Sequence, residues 1–149
     1  EPLMRPTIYL SNWSSHRTPG AHGPGRKFSI MARPRAWEHG DGEVSAFVPP
    51  AEWVIDAKAG RLHIDNYQAW CRFRWTSGVS LHEPDSLVAH THGRTDPVRD
   101  GDTLCCACSV AEGRAGRCHR AWAAPFLHAA GWRVVLDGQE WAPTPSASP

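Results

Sequence analysis

Long hydrophobic runs are missing from this 149-residue sequence. The nearest approach, "AWAAPFLHAAGW", is broken by Pro125 and His128, whereas a bilayer crossing needs about 20 mostly apolar residues. A transmembrane helix is therefore not expected. The opening stretch "EPLMRPTIYL" has a brief apolar patch and no small-residue cleavage pattern behind it, so a secretory signal is not expected and a cytoplasmic protein is. Cysteine is sparse: five residues are too few for a disulfide scaffold, and an odd number leaves one thiol without an intramolecular partner. Net charge is nearly absent at +1, so the molecule as a whole is no polyanion trap. There is no internal repeat. The glycines also spell neither the dinucleotide fingerprint nor the ATP-binding loop.

What is present fits one globular domain. Apolar residues make up 41% and charged residues 21%, and a chain of this size buries roughly 68–70% of its unfolded surface in a single core. The expected organisation is one α/β domain over 1–140 and a flexible Pro/Ser-rich tail over 141–149. Charge is segregated along the chain. Residues 1–37 hold six basic side chains against Glu1, and residues 38–65 hold six acids against Lys58 and Arg61.

The pattern predicts a strand over 7–13, a glycine-rich loop over 14–27 and a second strand over 28–32. Residues 44–50 read as a brief extended piece, and "PPAEWVIDAKAG" as a short helix ending at Gly60. A further helix, "NYQAWCRFRW", is expected with Asp65 as its cap. Residues 76–100 read as loop. The chain closes with a buried strand over 102–110, a helix over 118–131 and a strand over 132–138. Strand, loop, helix and strand in that order favour a small, mostly parallel sheet flanked by helices, a Rossmann-like three-layer stack with ligands beyond the carboxyl ends of the strands.

The densest chemistry is "CCACSVAEGRAGRCHR", residues 105–120, which holds four of the five cysteines, three arginines and a histidine. In a strand Cys106 and Cys108 share one face while Cys105 takes the other. Cys118, His119 and Arg120 fall in the first turn of the next helix, where free N–H groups and the dipole favour an anion and lower a thiol pKa. Arg114 and Arg117 add forked donors for phosphate. Three readings follow: an oxyanion or phosphate pocket with a reactive cysteine, a zinc site drawn from Cys105, Cys108, Cys118 and His119, or small apolar cysteines in a buried strand.

The element "LCCACSVAEGRAGRCHRAWAAPFLHAAGW" resembles the C-terminal hallmark of the domain-of-unknown-function 488 family. "IYLSNW", "SIMARPRAW" and "IDNYQAW" are similar to that family's N-terminal half. The resemblance runs over about residues 7–137, with the CHR triplet its distinctive part. It implies a compact α/β domain with a nucleotide- or nucleic-acid-related role. It also points to Cys106, Cys118, His119 and Arg120, with Ser11 and Arg33 as further correspondences. The sequence departs from the family at Cys108, where an acid is usual, in its longer loop before CHR, and at Pro125.

The leading expectation is a small enzyme that binds a phosphate-bearing nucleotide or nucleic-acid component and hydrolyses or transfers at it, with no cofactor. Cys118, His119, Arg120, Cys106 and Cys108 are its candidate catalytic residues. Ser11, Asn12, Arg17, Gly23, Gly25 and Arg33 are its candidate substrate-binding residues. The alternative is a non-catalytic module, zinc-stabilised, that binds nucleic acid or protein through its basic segment and tryptophans. His82, His90 and His92, with Glu83 and Asp85, form a weaker metal candidate. Trp13 and Trp37 flank polar loops and can stack on a base.

Overall fold

The computed structural model describes residues 5–78 and 84–143. In chain order the elements are β1 (Thr7–Asn12), β2 (Lys27–Ser29), α1 (Ala51–Lys58), α2 (Ile64–Gly78), β3 (Val88–Thr91) and β4 (Arg94–Pro97). They continue with β5 (Thr103–Cys106), α3 (Val110–Arg114), α4 (His119–Ala129), β6 (Arg133–Leu136) and β7 (Gln139–Trp141). A five-stranded sheet runs β2-β5-β1-β6-β7, and β3-β4 is a separate antiparallel hairpin. β1 pairs in parallel with β5 and β6, and β2 pairs in parallel with β5. Only β7 reverses the direction within this sheet.

Alternation along the strands divides the sheet into two faces. Leu10 stands beside Leu104 and Leu136, Ile8 beside Val134, and Asn12 beside Cys106. On this face the apolar members belong to one core with Trp122, Ala123 and Leu127 of α4. Aromatic edge-to-face contacts extend it through α2: Tyr67 meets Trp122 at 5.1 Å and Trp75 meets Phe126 at 5.5 Å. Trp75, Trp122 and Trp132 are buried, while Trp37 is 61% and Trp70 46% exposed. Trp13 donates its indole N–H to the sulfur of Met31 at 3.3 Å.

The opposite face carries Tyr9, Ser11, Thr103, Cys105 and Val135. It is covered by the loop after β1: Gly23 N donates to Thr103 Oγ1 at 2.8 Å, and Gly20 and Ala21 pack on Gly138. The mostly parallel α/β sheet is present, but the second helical layer of a three-layer stack is not among the described elements. A methyl group at Gly23 would run into the Gly101 carbonyl and the Tyr9 ring. Gly23→Ala is therefore expected to destabilise the domain by about 1–3 kcal/mol in chemical denaturation, mainly by lifting this loop.

Element bounds differ from expectation where local signals were weak. Residues 45–47 form a single 3-10 turn rather than an extended piece. Asp65 lies inside α2, one residue past its start. Part of the stretch expected to be loop folds as the β3-β4 hairpin, turning at His92 (φ 47°) and Gly93 (φ 79°). Trp141, placed in the tail, pairs with Val134 as the end of β7. The rest of the tail beyond 143 lies outside the described residues, as do His82 and Glu83. Among the described residues no helix is long and apolar enough to cross a membrane.

Candidate metal centre

Four parallel strands end on one side of the sheet, and their ends meet the first turn of α4. β5 finishes at Cys106, and the chain then leaves the sheet plane through Cys108. A capping box holds the next turn: Ser109 Oγ accepts from Glu112 N at 3.1 Å, and Glu112 Oε2 accepts from Ser109 N at 3.3 Å. Gly116, at φ 71°, turns the chain back toward the sheet. The Trp122 indole N–H fixes this return by donating to the Gly116 carbonyl at 2.6 Å. Cys118 is the N-cap of α4, and its side chain makes no capping bond. Its sulfur points to β5 instead, 3.1 Å from Cys106 Sγ.

The sulfurs of Cys106, Cys108 and Cys118 all lie within 4.8 Å of one another. Tetrahedral zinc with Zn–S bonds of about 2.3 Å sets its sulfurs about 3.8 Å apart, so the three are already gathered at the scale of one mononuclear ion. Cys105 is excluded from the centre because it faces the opposite side of β5; Cys106 takes its place in the expected ligand set. All five cysteines are free thiols.

Arg120 occupies the middle of this arrangement and is completely buried. Its Nε and Nη2 hold both oxygens of Asp137 at 3.2 and 3.1 Å. Nη2 also donates to the Ser109 carbonyl at 2.8 Å. Nη1 donates to Cys106 Sγ at 2.9 Å, the Cys108 carbonyl at 3.1 Å and Cys118 Sγ at 3.3 Å. Every N–H of the guanidinium thus has an internal partner. Gly113 lies directly over the Arg120–Asp137 pair, where a Cβ would strike both groups. The donors of Arg120, a candidate catalytic residue, are therefore all engaged within the protein, which covers it.

The thiols are likewise altered from the expected state. Burial pushes Cys106 and Cys118 up to about 12, against which the Arg120 charge is a lesser influence. The hydrogen bond with Cys106, reinforced by burial, lifts Cys108 to about 12. The helix end does not deliver a ready thiolate nucleophile. For Arg120, burial works against the charge, but the paired Asp137 carboxylate favours it and the guanidinium stays protonated.

His119 is buried, and burial holds its imidazole down to about 4, hence neutral near pH 7. Nε2 lies 2.7 Å from the Ile30 carbonyl. A carbonyl only accepts, so Nε2 carries the proton and Nδ1 keeps its lone pair. Nδ1 is 3.9 Å from Cys118 Sγ. An imidazole whose second nitrogen is tied to a backbone carbonyl is the usual setting of a metal-bound histidine.

The remaining candidates are distributed around the strand ends. Asn12 donates through Nδ2 to the Cys108 carbonyl at 3.0 Å, which joins β1 to the centre. Ser11 is buried on the opposite face. Gly23 and Gly25, candidate substrate-binding residues, use their amides on Thr103 and Gly101. Arg17 and Arg33 are exposed. Asp137, the counter-charge on which the centre depends, was not singled out by the sequence; its one signal is an isolated acid closing the apolar run "VVLDG".

Fold and centre together define an α/β domain with a buried cysteine–arginine cluster at the carboxyl ends of its parallel strands. No family model, no curated protein and no solved structure matches the chain.

Proposed function

We propose that the protein is a non-catalytic module whose strand ends are clipped together by one zinc ion and whose partner is single-stranded nucleic acid. The gathering of the Cys106, Cys108 and Cys118 sulfurs carries the zinc assignment, with His119 Nδ1 as the fourth ligand. A dication would convert the thiols to thiolates, and Arg120 Nη1 is placed to offset the excess negative charge. Free cysteines throughout fit a reducing, cytoplasmic setting.

The nucleic-acid partner rests on the exposed segment Arg33, Arg35 and Trp37, where two exposed arginines precede an indole open to stacking. The CHR resemblance to the domain-of-unknown-function 488 family supports the same broad assignment. Purified protein should carry one zinc per chain, released by a thiol-blocking organomercurial. Alanine at Cys106, Cys108 or Cys118 should remove the zinc, whereas alanine at Cys71 or Cys105 should retain it. A metal-free wild type, or equal retention in all five variants, would end the proposal. Trp37→Ala should weaken binding of a short oligonucleotide by about 1–3 kcal/mol.

A second reading, the nucleotide-directed hydrolase or transferase, has one observation in its favour. Ser11 Oγ and Asn12 Oδ1 are buried at the carboxyl end of β1 with no protein partner, at the edge where α/β sheets bind ligands. A thermal-shift screen against mononucleotides separates the readings, since any ligand that prefers the native state raises Tm. A large shift abolished by Asn12→Ala would favour the enzyme.

A further inference from the structure

Away from the cysteine centre, a cavity of about 530 Å³ opens where residues 39–43 meet the β3-β4 hairpin. Its lining includes His39, Glu43, His90 and His92. Two chain segments bring these groups together, and their backbones are fixed to each other. Glu43 N donates to the His90 carbonyl at 3.0 Å and His90 N to the Glu43 carbonyl at 2.7 Å, while Ser29 N donates to the Gly42 carbonyl at 2.8 Å. Gly42, at φ 143°, permits the approach: a side chain there would strike the His90 carbonyl and the Thr91 methyl.

We infer that this pocket is a second metal site, open to solvent, which takes one divalent ion of the zinc, nickel and copper class through His39, His90, His92 and Glu43. Imidazole nitrogen with a single carboxylate suits those ions, whereas magnesium and calcium require oxygen-rich surroundings. His90 Nδ1 is engaged with Thr95 Oγ1 at 3.3 Å, which restrains the ring and leaves Nε2 available to an ion. The rings of His39, His90 and His92 are exposed. Their nitrogens are not drawn into one sphere in the ion-free geometry, so binding gathers them by rotation on a fixed platform. A site of this form, built of exposed side chains, holds its ion in exchange with solvent.

The inference stands independently of the cysteine clip, and zinc counting separates the two. The 149-residue chain is dialysed against Zn²⁺ under reducing conditions and the bound metal counted for wild type, Cys118→Ala and the double variant His39→Ala/His92→Ala. The expected result is a zinc equivalent that survives Cys118→Ala and is lost, or weakened about tenfold or more, in the histidine variant. This result stands even if the cysteine centre proves empty. No zinc beyond that removed by Cys118→Ala, or a histidine variant that retains the wild-type count and affinity, would overturn it. Because both histidines are exposed, the variant should keep the wild-type circular dichroism. Should it unfold, His39→Gln and His92→Gln singly must each weaken the same equivalent.

Discussion

Arg120→Ala is expected to cost about 3–5 kcal/mol of folding free energy, as breaking a buried ion pair by removing one partner does. The substitution strands the Asp137 carboxylate, whose side chain is 1% exposed, without its counter-charge. It also leaves the Ser109 carbonyl without the donor that faces it and removes the N–H groups directed at two sulfurs. Arg120→Lys should recover only a minor part of the loss, because a single ammonium cannot reach Asp137, two carbonyls and two sulfurs together. Replacing both members, as in Arg120→Met/Asp137→Leu, should be less damaging than Arg120→Ala alone, since no orphan charge remains. Guanidinium unfolding of the three variants checks the ordering. A cost below about 1 kcal/mol for Arg120→Ala would mean that the pair does not hold the strand ends together.

Removal of the proposed zinc is expected to have the second large effect. In zinc-finger peptides the binding free energy, about 10–16 kcal/mol, is also the folding free energy. This domain has a core of its own, spanning the sheet, α2 and α4, so chelation should weaken it without abolishing the fold. A loss on the order of 4 kcal/mol corresponds to a Tm fall of roughly 8–16 °C for a chain of this size. The fall should be reversed by added zinc and be absent in Cys118→Ala, whose Tm should already match that of the chelated wild type. Calorimetry in reductant with and without a strong chelator makes the measurement. Identical transitions in the two conditions would exclude a structural ion.

The strand–loop–helix–strand order at the end of the chain was legible because "TLCC" and "RVVL" are short apolar runs bounded by turn signals, and because the period of two along a strand separates Cys105 from Cys106. The α/β sheet followed from it. The state of the site did not. A helix start reads in sequence as an open, positively polarised end, yet this one abuts the strand ends, and its Arg120 finds Asp137 seventeen residues downstream. Local spacing carries no information about that encounter. The hairpin at 88–97 was read as loop because "VAHT" and "RTDP" are short and polar, without the alternation that marks a half-buried strand. The covering of the second sheet face by the loop after β1 was equally hidden, since a loop rich in glycine and proline announces a turn and not the surface it will pack on.

One metal ion is proposed to join the end of β5 to the start of α4. X-ray absorption at the zinc edge of the purified, fully reduced protein, with His39 and His92 replaced by alanine so that only the cysteine centre contributes, tests it directly. The predicted shell has three sulfurs at about 2.3 Å and one nitrogen at about 2.0–2.1 Å, reduced by one sulfur or emptied altogether when Cys106 is alanine. A shell of nitrogen and oxygen alone, or protein without zinc, would contradict it.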